Sequence, residues 1–184
     1  YNVSFFTGKH RGVAIAGNNV YFLSNDAKLH AIDLKTGKAK WVKSYEGFYY
    51  PKDFAKSKDS NGYCTTVGPM AIPGAIIVPM NATDTGGLPG YVLGVNPDTG
   101  DLLWQAPMIP GKGEKGYDTW PEGSQAFGGA EPWIIGSYDP DLKMYYTGTA
   151  NAYEWNPKNR GGGAMDNLGA ASIVAVGTTD GKVA

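Results

Sequence analysis

Trp133, Asn151 and Arg11 are side chains whose chemistry exceeds simple packing. An indole is the largest flat apolar surface a protein can offer to a fused aromatic ring. An amide oxygen such as that of Asn151 suits a hard cation that also has carboxylate ligands. A guanidinium binds a carboxylate through paired, charge-assisted hydrogen bonds. Each has a plainer use as well: a Trp packed between sheets, an Asn serving a Gly-Thr-Ala-Asn turn, a solvated surface Arg. Cys64 is the only cysteine, so it forms no internal disulfide and reads as a small buried hydrophobe. His30 falls in a strand and reads as structural, and His10 is given no catalytic role. Asp166, after the Gly-rich turn from Arg160 to Gly163, reads as a residue that orders its loop.

These residues need a scaffold, and the composition points to a turn-rich β protein. The 184 residues include 27 Gly and 12 Pro, with 42% hydrophobic, 12% aromatic and only 18% charged residues, which excludes a helix bundle, a coiled coil and a disordered tail. Sixteen basic against seventeen acidic residues give a net charge of −1, so nothing favours nucleic acid or an anionic membrane as a partner. The most hydrophobic stretch, Met70 to Met80, is interrupted by Pro73, Gly74 and Pro79, and no transmembrane span is expected.

A repeat organises the chain. Leu29 to Trp41 recurs as Tyr91 to Trp104 and again as Ser172 to Ala184: an apolar strand, a polar turn ending in Gly, and a returning strand. The turn glycines Gly37, Gly100 and Gly181 suit a left-handed backbone position. Trp41 and Trp104 follow their turn glycines at the same offset, which from Gly181 falls one position past the last residue. The chain therefore reads as a piece of a longer protein that stops mid-strand. Further strands are expected over 12–16, 20–23, 75–80, 133–138 and 144–149. Short strands in fours, joined by such turns, predict propeller blades, with a sandwich as the other architecture. Tyr45 to Tyr63 and Met108 to Gly129 read as insertions that cover a propeller face.

Together with that repeat, Gly128-Gly129-Ala130-Glu131-Pro132-Trp133, the run from Tyr138 to Asn151, and Asp166-Asn167-Leu168 ahead of Ser172-Ile173-Val174-Ala175 resemble the quinoprotein alcohol dehydrogenases. The resemblance covers nearly the whole chain. It implies an all-β fold, about three blades of an eight-bladed propeller, with residues 1–184 an incomplete propeller domain truncated at its C-terminal end. It implies pyrroloquinoline quinone (PQQ) with a Ca²⁺ or lanthanide ion as cofactors and a periplasmic location.

Carried over position by position, the resemblance makes Trp133 the floor under the PQQ ring and Asn151 a metal ligand, since the two stand at the family's spacing. Thr66 matches a Thr that touches the cofactor, and Asp84 stands where the family has a metal-binding Glu, with less reach. Arg11, in Lys9-His10-Arg11-Gly12-Val13-Ala14, matches the Arg that contacts a PQQ carboxylate. Glu131 replaces the family's Thr, and either turns away from the cofactor or meets it through a cation. Phe5 and Phe6 replace a vicinal disulfide.

The function implied is oxidation of an alcohol, polyol or sugar, with electrons passed to an acceptor such as a cytochrome c or a quinone. The family's catalytic Asp would lie beyond residue 184, so no residue here is assigned as the base and the segment alone is expected to be inactive. Two other classes stay open: a non-catalytic propeller scaffold of the outer-membrane assembly type, and a glycan-binding β protein with Trp120, Tyr117 and Trp155 as a sugar platform.

Overall fold

The computed structural model describes residues 10–45, 65–81, 88–123, 128–153 and 155–184. Phe5, Phe6, Cys64, Asp84 and most of the insertion expected at 45–63 lie outside them.

Among the described residues, eleven strands form three antiparallel meanders. The first sheet runs β1 (Ala14–Ala16), β2 (Asn19–Leu23), β3 (Lys28–Asp33) and β4 (Ala39–Ser44) in sequence order. The second repeats the pattern with β5 (Met70–Ile72), β6 (Ala75–Met80), β7 (Tyr91–Val95) and β8 (Leu102–Pro107). The third holds β9 (Ser137–Asp139), β10 (Met144–Gly148) and β11 (Ile173–Gly177), extended by a bridge between Val176 and Val183. Three blades of a partial β-propeller account for this order, as the repeat predicts.

The blades stack through alternating side chains. Strand β6 is buried along its whole length because it lies between two neighbours: Ile76, Val78 and Met80 join the core shared with Tyr21, Leu23 and Leu29 of the first blade, and Ile77 joins the core shared with Tyr145, Val174 and Val176 of the third. Outward faces of the first and third blades have no such neighbour among the described residues, and Ile15 and Ile173 stand exposed there.

The three repeats form the same turn. Gly37, Gly100 and Gly181 have φ of +67°, +73° and +73°, and each closes its turn by donating its N–H to the carbonyl of Asp33, Asn96 or Gly177. In two of the turns a side chain caps the loop: Asp33 Oδ1 accepts from the amides of Lys35 and Thr36, and Asn96 Oδ1 from those of Asp98 and Thr99. The repeated Trp docks one blade on the next. Trp41 lies against Gly100, and Trp104 lies against Gly181. Trp104 Nε1 donates to the Thr178 carbonyl at 2.8 Å. At the other junction Tyr21 Oη donates to the corresponding carbonyl, that of Pro97, at 2.9 Å, and Trp41 Nε1 is buried with no hydrogen-bond partner among the described residues.

Two expectations are corrected. The strand expected over 133–138 is only Ser137–Asp139. Its first half is irregular because Gly136 presses against the Tyr146 carbonyl and donates its N–H to Tyr145 Oη, which leaves Trp133, Ile134 and Ile135 outside the ladder and partly exposed. The described part of 108–129 is also more than a surface cover: Met108, Ile109 and Trp120 are buried in the core between the second and third blades.

Candidate functional site

Each blade is preceded by a short lead-in segment, and the three segments meet. Gly68 packs against the Gly12 carbonyl and Ile135 Cδ1, which joins the approaches to β5, β1 and β9. Arg11, Thr66 and Trp133 sit on these segments. Arg11 Nη1 donates to Thr66 Oγ1 at 2.6 Å and to the Thr66 carbonyl at 3.1 Å. The Arg11 guanidinium carbon stands 5.4 Å from the centre of the Trp133 ring, within range of a cation–π contact. Residues far apart in sequence thus present a guanidinium, a hydroxyl and an indole together, with the Trp133 side of the group 44% exposed.

The Trp133 segment is threaded between the second and third blades. Gly129 donates to the Leu88 carbonyl and accepts from Gly90 on one side, and Tyr153 donates to the Gly128 carbonyl on the other. A Cβ on Gly128 would collide with the Leu88 backbone, and one on Gly129 would collide with Tyr153 N. Only a Gly-Gly pair passes this gap, and Ala130 after it takes a φ of +53°.

The same ladder brings Glu131 and Asn151 onto adjoining segments: Ala130 donates to the Asn151 carbonyl at 3.1 Å, and Ala150 donates to the Glu131 carbonyl at 2.9 Å. Glu131 is 2% exposed, while Trp133 two residues on faces out. Asn151 is exposed, so its side chain is open to a ligand. Asp84 lies outside the described residues. Among the described residues, no three His, Cys, Asp or Glu side chains cluster as a metal site.

Asn167 enters the sequence reading only as part of a motif, with no role of its own, and Trp120 takes a core position rather than a place on the alternative sugar platform. Asn167, not Asp166, orders the 155–168 loop: its Nδ2 donates to the Thr119 carbonyl at 3.1 Å, and its Oδ1 accepts from Arg160 Nη1 at 2.6 Å. A buried Asn in a polar loop carries no periodic signal, and only its place before an apolar run marks it. Trp120 is 3% exposed, with its Nε1 donating to the Leu168 carbonyl, so the platform of Trp120, Tyr117 and Trp155 does not form. Trp155 alone is well exposed.

Trp-docked antiparallel blades, with a guanidinium, a hydroxyl and an open indole gathered where their lead-in segments meet, define a partial β-propeller with one candidate site shared between blades. The chain belongs to the PQQ family described as the glucose/ethanol/alcohol dehydrogenase β-propeller domain, whose family model matches residues 2–184. It is 34% identical to the quinoprotein alcohol dehydrogenase PedH of Pseudomonas putida over 190 residues, covering 95% of this chain and 29% of that protein. Its fold superposes on the quinohemoprotein alcohol dehydrogenase of Comamonas testosteroni with a TM-score of 0.80 at 27% identity, covering 96% of this chain and 26% of that one. Against a europium-containing methanol dehydrogenase the TM-score is 0.78 at 26% identity, with coverages of 95% and 31%. The chain spans less than a third of each of these proteins. BamB from Moraxella catarrhalis shares the fold alone, at 10% identity and a TM-score of 0.51.

Proposed function

We propose that this chain forms part of a PQQ- and metal-dependent dehydrogenase that oxidises an alcohol, polyol or sugar in the periplasm and passes electrons to a cytochrome c or a quinone. The observation that carries the reading is the convergence of Arg11, Thr66 and Trp133. Three groups chosen for stacking, carboxylate binding and hydrogen bonding fit a flat ligand that bears carboxylates. When bound, PQQ supplies the two-electron acceptor for the alcohol.

The chain's own residues bind and orient. Trp133 offers the ring floor, Arg11 the counter-charge, and Thr66 a hydroxyl that steadies the guanidinium. Asn151, and Asp84 from outside the described residues, would hold a Ca²⁺ or lanthanide ion through hard oxygen ligands. Glu131, buried beside that ladder, would meet the cofactor only with a cation between them, because two carboxylates repel. No acid of residues 1–184 is given the proton-accepting role.

The test is to add PQQ with Ca²⁺ or a lanthanide to the intact protein, then record quinone absorbance and dye reduction with a panel of alcohols. Uptake of the quinone with alcohol-dependent dye reduction is expected. No uptake by the intact protein overturns the reading.

A further inference from the structure

We infer that Asn25 is a positioning residue that aims Arg11, acting through Thr65 and Thr66; its bearing on cofactor binding rests on the function proposed above. The turn between β2 and β3 reaches across the blade junction and grips the lead-in to β5 at Thr65. Asn25 Nδ2 donates to the Thr65 carbonyl at 2.7 Å, the Thr65 amide donates to the Asn25 carbonyl at 3.1 Å, and Thr65 Oγ1 donates to the Ser24 carbonyl at 2.6 Å. Ser24, Asn25 and Thr65 are all buried. Buried polar groups at a junction otherwise filled by Leu, Ile and Val are costly unless fully bonded, so this cluster fixes geometry that apolar packing would leave loose.

What it fixes is the next residue. The Thr66 carbonyl and hydroxyl both accept from Arg11 Nη1, and the Thr66 amide donates to Asn81 Oδ1 at 3.2 Å. Arg11 is exposed and carries a long flexible stem. The orientation of its guanidinium over Trp133 follows from where those two acceptors stand. The gripping turn is itself braced, since Ser24 Oγ lies within hydrogen-bonding distance of the Asp26 carboxylate, the Lys28 carbonyl and His30 Nε2.

The experiment uses the intact protein with Asn25→Ala, Thr66→Ala, the double variant, and Lys35→Ala on a different turn as control. Phenylglyoxal labelling of Arg11 without any ligand, read by mass spectrometry, should rise about fivefold in both single variants and stay unchanged in the control. In PQQ titrations Asn25→Ala should weaken binding about tenfold, and the double variant should lose less than the two single losses combined, because both changes act on one guanidinium. Should Asn25→Ala fail to fold, Thr65→Val, which removes a single hydroxyl from the grip, must raise Arg11 labelling in its place. Labelling at the wild-type rate in the Asn25 or Thr65 variant, or losses of PQQ affinity that add, overturns the inference. Failure of the wild-type protein to take up PQQ, with the labelling pattern intact, sinks the dehydrogenase reading and leaves the positioning role of Asn25 standing.

Discussion

Arg11 does two jobs that a lysine cannot combine: it satisfies a hydroxyl and a carbonyl with one nitrogen, and it lays a planar cation near an indole. Arg11→Lys keeps the charge and loses the planar fork. PQQ affinity should therefore drop roughly tenfold, and further in Arg11→Ala, as read by titration of quinone absorbance. His30 gives a second handle at this scale. Burial between Phe22 and Ser24 holds its imidazole below the usual histidine range, with the Asp26 carboxylate opposing and Lys28 reinforcing that shift. As pH falls below about 6.5, the unfolded chain gains a proton that folded His30 refuses, so stability declines until the folded pKa is reached. His30→Gln should flatten that decline in denaturant midpoints measured from pH 8 to pH 5. Asp33, whose carboxyl is held low mainly by the Thr36 amide, and Asp101, held low by Thr99 and Lys43, add nothing in that window.

At the scale of elements, the turn glycines separate conformational strain from packing. A Cβ on Gly37 meets nothing within 4 Å, whereas one on Gly100 would lie 2.8 Å from both Trp41 Cζ3 and Lys43 Cγ. Both residues have positive φ. Gly37→Ala should cost about 1 kcal/mol from backbone strain alone, and Gly100→Ala about 2–3 kcal/mol because the docked Trp must also shift. Thermal melts of the 184-residue chain check the difference, and equal losses would mean that the Trp does not lock the blades. The same contrast explains what was legible in the sequence. Strand β6 occupies 75–80 as expected, because a short apolar run bounded by turn residues is a local signal. The apolar run from Trp133 to Ile135 misleads, because a half-exposed lead-in outside the ladder and an apolar strand share one composition. The Asn25 grip and the Asn167 brace were invisible, since each joins segments that only the fold brings together. Arg11 and Thr66 were named through family motifs, and no periodicity in the chain relates them.

At the scale of the molecule, the site belongs to no single blade. Arg11 precedes the first, Thr66 the second and Trp133 the third, and their lead-in segments touch one another. A ligand that engages all three is bound only while the three blades are docked, so its binding free energy stabilises the docking itself. PQQ at about a hundredfold excess over its Kd should add about 2.7 kcal/mol to the stability of the intact protein. Where that stabilisation falls distinguishes the shared site from a local one. Hydrogen exchange should slow at the Thr65 amide, which bonds the first blade's turn, and at the Gly129 amide, which bonds the Leu88 carbonyl, because both cross blade junctions. Arg11→Ala should retain slower exchange at Gly129 and lose it at Thr65, since Trp133 alone still holds the ligand on the third blade. Protection confined to Gly129 in the wild-type protein would mean that the ligand sits on Trp133 without engaging the other two blades.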